Sequence, residues 1–155
     1  YYIHNEVGYN YRMTNLQGAL GVAQMEELPE FISRKQKNYS VYRELLQGSK
    51  TGYLLPFRAG TESNKWFYSY VLDRNVVKAE LRDIITELEK EGVQTRAIWG
   101  LIHEQKPYVD CTAFQIEKAK DYSRRVINLP CSTNLKEADI AFVVQALERV
   151  LEKAE

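Results

Sequence analysis

Trp66-Phe67-Tyr68-Ser69-Tyr70-Val71-Leu72, then Asp73-Arg74-Asn75, then Val77 to Glu91, is the stretch that sets the fold class of this chain. Trp66 to Leu72 is rich in aromatic and β-branched residues and holds no breaker, so it reads as a strand. Asp73-Arg74-Asn75 turns the chain. In Val77 to Glu91, Leu81, Ile84, Ile85 and Leu88 fall on one helical face, and Gly92 ends the helix. Val93 to Trp99 reads as a second strand.

Outward from this unit, Thr51 to Asn64 carries Gly52, Pro56, Gly60 and Ser63, which mark a loop with room for a short strand at Tyr53-Leu54-Leu55. Before it, Leu16, Ala19, Leu20, Ala23 and Leu28 give a helix over Thr14 to Leu28, capped by Thr14 or Asn15. Pro29 interrupts that pattern and fits the first turn of a second helix. The second helix runs to about Leu46, with Phe31, Ile32, Tyr39, Tyr42, Leu45 and Leu46 on its apolar face and Gly48 as its stop.

Downstream, Gly100 to Ala113 is irregular, Gln115 to Arg124 is a short helix, and Val126 to Leu129 is a short strand stopped by Pro130. Thr133 or Asn134 caps a last helix, Lys136 to about Lys153, that buries Ile140, Val143, Val144, Ala146, Leu147, Val150 and Leu151. The predicted fold is therefore α+β: a small, mostly antiparallel sheet of about three strands covered by helices, preceded by a long broken helix.

A length of 155 residues fits one domain, or one domain with an arm. A formal net charge of zero gives no electrostatic case for nucleic acid or an acidic membrane surface. No apolar run reaches the length of a membrane span, and no leader opens the chain, so a cytoplasmic protein is expected. Cys111 and Cys131 lack metal-ligand spacing and read as reduced thiols. Tyrosine is abundant, at 11 residues, and Tyr1, Tyr2, Tyr9, Tyr11 and Tyr39 crowd the N-terminal part. Two readings are open: an interface with a partner, or an aromatic-rich core.

Common enzyme signatures are missing: no glycine-rich phosphate loop, no zinc spacing, no Gly-x-Ser-x-Gly elbow. Four clusters remain. Asn10 and Arg12, in Gly8-Tyr9-Asn10-Tyr11-Arg12-Met13-Thr14-Asn15-Leu16-Gln17, point the same way if extended and could seat a phosphate or carboxylate. Alternatively, Arg12 pairs with a carboxylate such as Glu6 while Asn10 caps a turn, the reading that the bare sequence favours. Arg96 could grip an anion and Trp99 stack on a ring, or they could be a surface arginine beside a core tryptophan. His103 is either functional or simply hydrogen-bonded within its loop. Cys131-Ser132-Thr133-Asn134 reads as a helix-capping turn.

Gly8 to Gly21 resembles the Gly-Tyr-Asn-x-Arg-Met-x-x-x-Gln-x-Ala-x-Gly segment of DegT-type sugar aminotransferases. The resemblance continues through Thr95-Arg96-Ala97-Ile98-Trp99, His103-Glu104-Gln105-Lys106-Pro107-Tyr108 and Leu129 to Leu135, and so covers nearly the whole chain. Trp99 and Cys131-Ser132-Thr133-Asn134 look most like the branch that aminates nucleotide-linked 2-acetamido sugars, as in legionaminic acid pathways.

The resemblance implies the C-terminal small domain of the aspartate-aminotransferase fold type over 14–155, with 1–13 as an arm from a preceding large domain. It implies pyridoxal phosphate as cofactor, glutamate and a nucleotide-linked keto sugar as substrates, and a homodimer with shared sites. The position matching Asn10 reaches the partner subunit's cofactor phosphate, with Arg12 beside it, and Arg96, Trp99 and His103 lie near the sugar nucleotide. No residue here matches the Schiff-base lysine, so no catalytic residue and no metal ligand is assigned. The chain is expected to be a fragment, inactive alone. A non-catalytic binding or regulatory module of the same fold, and a helical protein-interaction domain with an aromatic arm, are the competing expectations.

Overall fold

The computed structural model describes residues 3, 5–9 and 12–154. Helix α1 (Asn15–Leu45) runs without a break through Pro29, where the sequence predicts two helices. A proline inside a helix removes one amide bond and crowds the carbonyl four residues back. Here that carbonyl belongs to Met25, on an exposed stretch where water can take the place of the lost donor. Thr14 is the N-cap: its amide donates to Gln17 Oε1 at 2.8 Å, and the Gln17 amide donates to Thr14 Oγ1 at 3.3 Å.

Only the C-terminal part of α1 is buried, at Asn38, Tyr39 and Tyr42. The apolar periodicity of its first half is real, but nothing in this chain covers it: Leu16 is 81% exposed and Leu20 62%. Leu45, predicted inward, is also exposed.

The remaining elements are β1 (Gly52–Leu54), β2 (Tyr68–Leu72), α2 (Leu81–Lys90), β3 (Arg96–Ala97), α3 (Glu117–Ser123), β4 (Val126–Leu129) and α4 (Glu137–Glu152). The described strands form one 4-stranded sheet, ordered β1-β2-β4-β3, with every pairing antiparallel. The sequence gives about three strands because β1 is brief and opens on Gly52, a residue that reads as loop. Gly52 is needed there: a Cβ would stand 2.2 Å from the Val71 carbonyl oxygen across the ladder.

Two predicted boundaries move for local reasons. Helix α2 starts at Leu81 rather than Val77, because the Val77 amide is spent on Asp73 O at 2.8 Å and the Lys78 amide on Ala154 O at 2.9 Å. Helix α4 is capped at Lys136, not at Thr133 or Asn134, since Asp139 Oδ2 turns back to accept the Lys136 amide at 2.8 Å.

All seven α4 residues predicted to be inward are buried. They pack with Ile84 and Leu88 of α2, Tyr39 and Tyr42 of α1, and the sheet face carrying Tyr68, Tyr70, Leu72, Ile127 and Leu129. The helices in this core lie on that one side of the sheet. Strand alternation turns Phe67, Ser69, Asn128 and Arg96 to the other side.

Much of the tyrosine surplus is core. The Tyr42 hydroxyl donates to Pro130 O at 3.1 Å, Tyr68 to Lys35 O at 2.8 Å and Tyr39 to Leu55 O at 3.2 Å. The Tyr70 hydroxyl meets Ser49 Oγ at 2.8 Å and Thr51 Oγ1 at 2.9 Å. Tyr1, Tyr2 and Tyr11 lie outside the described residues.

Burial raises the pKa of Tyr39, Tyr42, Tyr68 and Tyr70 above the ordinary tyrosine value. A phenol whose folded pKa lies above its unfolded value of about 10 stabilises the fold fully below that pH and loses this contribution as pH rises beyond it. Absorbance titration at 295 nm should therefore show two groups: exposed tyrosines ionising near pH 10, and these four ionising only with loss of the folded far-ultraviolet dichroism. Ionisation of all tyrosines in one transition near pH 10, with the fold intact, would contradict the packing described.

Candidate functional site

The sheet face turned away from the core carries polar and aromatic groups in one row. In the ladder Ser69 opposes Asn128, and Asn128 opposes Arg96. The Ser69 hydroxyl donates to Asn128 Oδ1 at 2.7 Å, which satisfies part of a buried amide. Arg96, on the edge strand β3, is exposed.

Trp99 follows β3 closely, yet its ring lies 5.1 Å from Phe67 in an edge-to-face contact and 6.0 Å from Trp66. Those two residues precede β2, beside the far end of β4. The chain leaving β3 must therefore turn back across the polar face rather than extend it. The three rings form one cluster, with Trp66 61% and Trp99 43% exposed.

His103 lies in the 3-10 turn Ile102–Glu104 that follows. Its side chain is mostly buried, and Nε2 has no hydrogen-bond partner among the described residues. Glu104 Oε1 stands 3.6 Å away, too far for a hydrogen bond. Buried Gln105 holds this turn, donating from Nε2 to Gly100 O at 3.3 Å. An unpaired buried imidazole nitrogen costs stability that a bound donor or acceptor would offset.

The Cys131-to-Asn134 segment has a structural task. Lys35 Nζ donates to Cys131 O at 2.7 Å and to Trp66 O at 3.2 Å, and Asn38 Nδ2 donates to Ser132 O at 3.2 Å. Lys35 thus fixes both the end of β4 and the base of the aromatic cluster.

Arg12 is set apart. It is exposed, ahead of the Thr14 cap, and among the described residues no ion pair joins it to Glu6. Asn10 lies outside the described residues. From Asn15 to Lys35 the helix rise of about 1.5 Å per residue spans roughly 30 Å. Within one chain, Arg12 is thus remote from Trp66, Trp99 and Lys35.

Sequence reading groups Arg96, Trp99 and His103 but leaves out Trp66, Phe67, Ser69 and Asn128. Trp66 and Phe67 read as strand, and only the fold shows them ahead of the ladder beside Trp99. The period-2 alternation around Tyr68 and Tyr70 is the signal that could have placed Phe67 and Ser69 on the opposite face. Chemically, the face offers rings for stacking and a guanidinium for an anion, and the turn after Trp99 holds an imidazole suited to a hydrogen bond or a proton.

These features agree with a family assignment. Residues 1–148 match the DegT/DnrJ/EryC1/StrS aminotransferase family, and the chain belongs to it. A GDP-perosamine synthase of Vibrio cholerae is 36% identical over 148 residues, which cover 88% of this chain and 38% of that protein. A GDP-perosamine synthase of Caulobacter vibrioides is 31% identical over 147 residues, covering 94% of this chain and 39% of that protein. In structure, Helicobacter pylori PseC, an aminotransferase involved in the biosynthesis of pseudoaminic acid, superposes with a TM-score of 0.82 at 19% identity, over 96% of this chain and 40% of that one. The chain thus spans about two-fifths of the length of each, and its fold is that of aminotransferases.

Replacing Trp99 with Ala removes one of the three rings. The expected results are loss of the near-ultraviolet dichroism of the tryptophan pair and a stability loss of about 1 kcal/mol in urea unfolding, the size of an aromatic contact. An unchanged near-ultraviolet spectrum would show that Trp99 does not pack on Trp66 and Phe67.

Proposed function

We propose that this chain is the C-terminal portion (14–155, with 1–13 as an arm) of a cytoplasmic, pyridoxal-phosphate-dependent aminotransferase. The enzyme transfers an amino group from glutamate to a keto sugar carried on a nucleotide. Family membership supports the reaction class, and the names of the two relatives support a nucleotide-linked sugar. The observation that carries the reading for this chain is the sheet face that holds Arg96 and Trp99, followed by the turn in which Nε2 of His103 is buried without a hydrogen-bond partner. Arg96 binds an anionic group of the sugar nucleotide, Trp99 stacks on one of its rings, and His103 hydrogen-bonds it. This chain supplies no catalytic residue and, by itself, no activity.

Arg12 is suited to a phosphate: an exposed guanidinium whose planar donors match phosphate oxygens. With Asn10 it would hold the phosphate of pyridoxal phosphate. When bound, the cofactor supplies the electrophilic carbon that takes the amino group from glutamate and passes it to the sugar. The roughly 30 Å of helix between Arg12 and the aromatic cluster means that one chain cannot bring both to one ligand. A homodimer resolves this, with Arg12 of one protomer completing the site built on the sheet face of the other. The exposed apolar half of α1 also favours a second reading, a helical interaction surface, for which binding would survive loss of Asn10 and Arg12.

Subunit mixing tests the shared site. In a protein carrying this chain at the full length of the family, Arg12→Ala and His103→Ala are each expected to be nearly inactive. Co-refolded in equal amounts, they should recover about a quarter of wild-type activity, because half the dimers are mixed and one of their two sites is intact under two-fold symmetry. No recovery would place Arg12 and His103 in the same protomer's site or in none.

A further inference from the structure

Trp66 is more open to solvent than Trp99, 61% against 43%, yet its backbone is held from several directions. The Trp66 amide donates to Asn64 Oδ1 at 3.1 Å, and its carbonyl accepts from Lys35 Nζ at 3.2 Å. One residue earlier, the Lys65 amide donates to Ser63 Oγ at 3.1 Å.

Lys65 has a φ of 52°, in the left-handed region; among the described residues the one other non-glycine with positive φ is Gln115. Lysine has no short polar group with which to ease that conformation, as Asn and Asp have. Its ammonium turns inward instead. Lys65 Nζ stands 3.7 Å from the centroid of the Phe57 ring and 5.1 Å from that of Tyr39. Those two rings meet edge to face at 4.9 Å, and Tyr39 belongs to the core. A cation over ring faces is held by their quadrupoles, so the core itself pins Lys65.

A strained residue, a cation over two rings and three hydrogen bonds thus fix a tryptophan whose own ring lies outside the core. Strain of this kind persists where the surroundings over-determine it, and it gathers at functional sites. The ring's geometry narrows what it can take. Its centroid lies 4.6 Å from Phe67, and 6.0 Å from Trp99 with the two indole planes at 40°. A planar group between two rings needs parallel faces and two stacking distances of about 3.5 Å each. None fits between these tryptophans, so a planar ligand lies on an outer face, and Trp66 presents the more open one.

We infer that Trp66 is the residue on which the nucleobase of the sugar nucleotide stacks, with Lys65 as its positioning residue; the inference rests on the function proposed above. The base then lies toward β2, and the phosphates and sugar toward β3 with Arg96 and Trp99. Every base has a π-face, so Trp66 recognises that a base is present and not which one.

The test is titration of the 155-residue chain with GDP, UDP and pyrophosphate, followed at the indole Nε1–H signals. The chain has 2 tryptophans, so Trp66→Phe and Trp99→Phe assign both signals. GDP and UDP should each move the Trp66 signal upfield and saturate, whereas pyrophosphate, which has the charge without the base, should not. Trp66→Ala should weaken GDP about ten-fold, the size of a base stack on an aromatic ring. That variant keeps the carbonyl that Lys35 holds, so the loss reports the ring. Lys65→Met should weaken GDP several-fold, and Lys65→Arg, which keeps a cation over Phe57 and Tyr39, should retain wild-type affinity. No saturable shift at Trp66, or unchanged GDP affinity in Trp66→Ala, overturns the stacking role; unchanged affinity in Lys65→Met overturns the role of Lys65. A Trp99 signal that moves with GDP while Trp66 stays still removes the inference and keeps the proposed function, on which subunit mixing reports separately.

Discussion

A short polar stripe on α1 fixes the geometry of everything else. Lys35, Asn38 and Tyr42 follow one another along one side of the helix and donate to the carbonyls of Cys131, Ser132 and Pro130. Pro130 ends strand β4, and the chain beyond it has no ladder partner for those oxygens. Buried backbone acceptors must find donors. Supplying them from a helix rather than from water locks α1 across the end of β4. The same Lys35 amine also reaches the Trp66 carbonyl, so one cation sets the helix, the sheet and the base of the aromatic cluster together.

The tyrosines extend that arrangement through the core. A phenylalanine at 42 would fill the same volume but leave the Pro130 carbonyl without its donor, and one at 68 would remove the hydroxyl that ties β2 to the Lys35 carbonyl of α1. Tyr70 acts similarly at the other edge, where its hydroxyl joins Ser49 and Thr51 at the entry to β1. Rings and hydroxyls thus perform two tasks at once, which accounts for a tyrosine content that composition leaves open between core and interface.

Legibility in the sequence follows how local each determinant is. Helix α4 and strand β4 are read within a few residues because their patterns are sustained and each is packed where the pattern points. The passage of α1 through Pro29 is not readable, since whether a lost amide bond breaks a helix depends on exposure around it and on anchorage further along. Strand β1 hides in a glycine-rich loop because it exists only by pairing with β2. Of the candidate site, Arg96, Trp99 and His103 stand out by residue type, whereas Trp66 and Phe67 acquire meaning only when the chain after β3 folds back.

The first half of α1 is where sequence pattern and structure part most clearly, and the reason bears on function. Its periodicity at Leu16, Ala19, Leu20 and Ala23 specifies an apolar face, and periodicity alone says nothing about what covers it. Leu16 and Leu20 stand in solvent on a helix whose far end is firmly held by Lys35, Asn38 and Tyr42. A helix so anchored projects its apolar N-terminal half, and Arg12 ahead of it, away from the domain. Projection at a fixed angle would make little sense for a solvated surface, because an exposed leucine row gains nothing from being held in place. On the proposed function it would suit an element that delivers residues to a place its own domain cannot reach, and the rigidity given by the polar stripe is what would make that delivery reproducible.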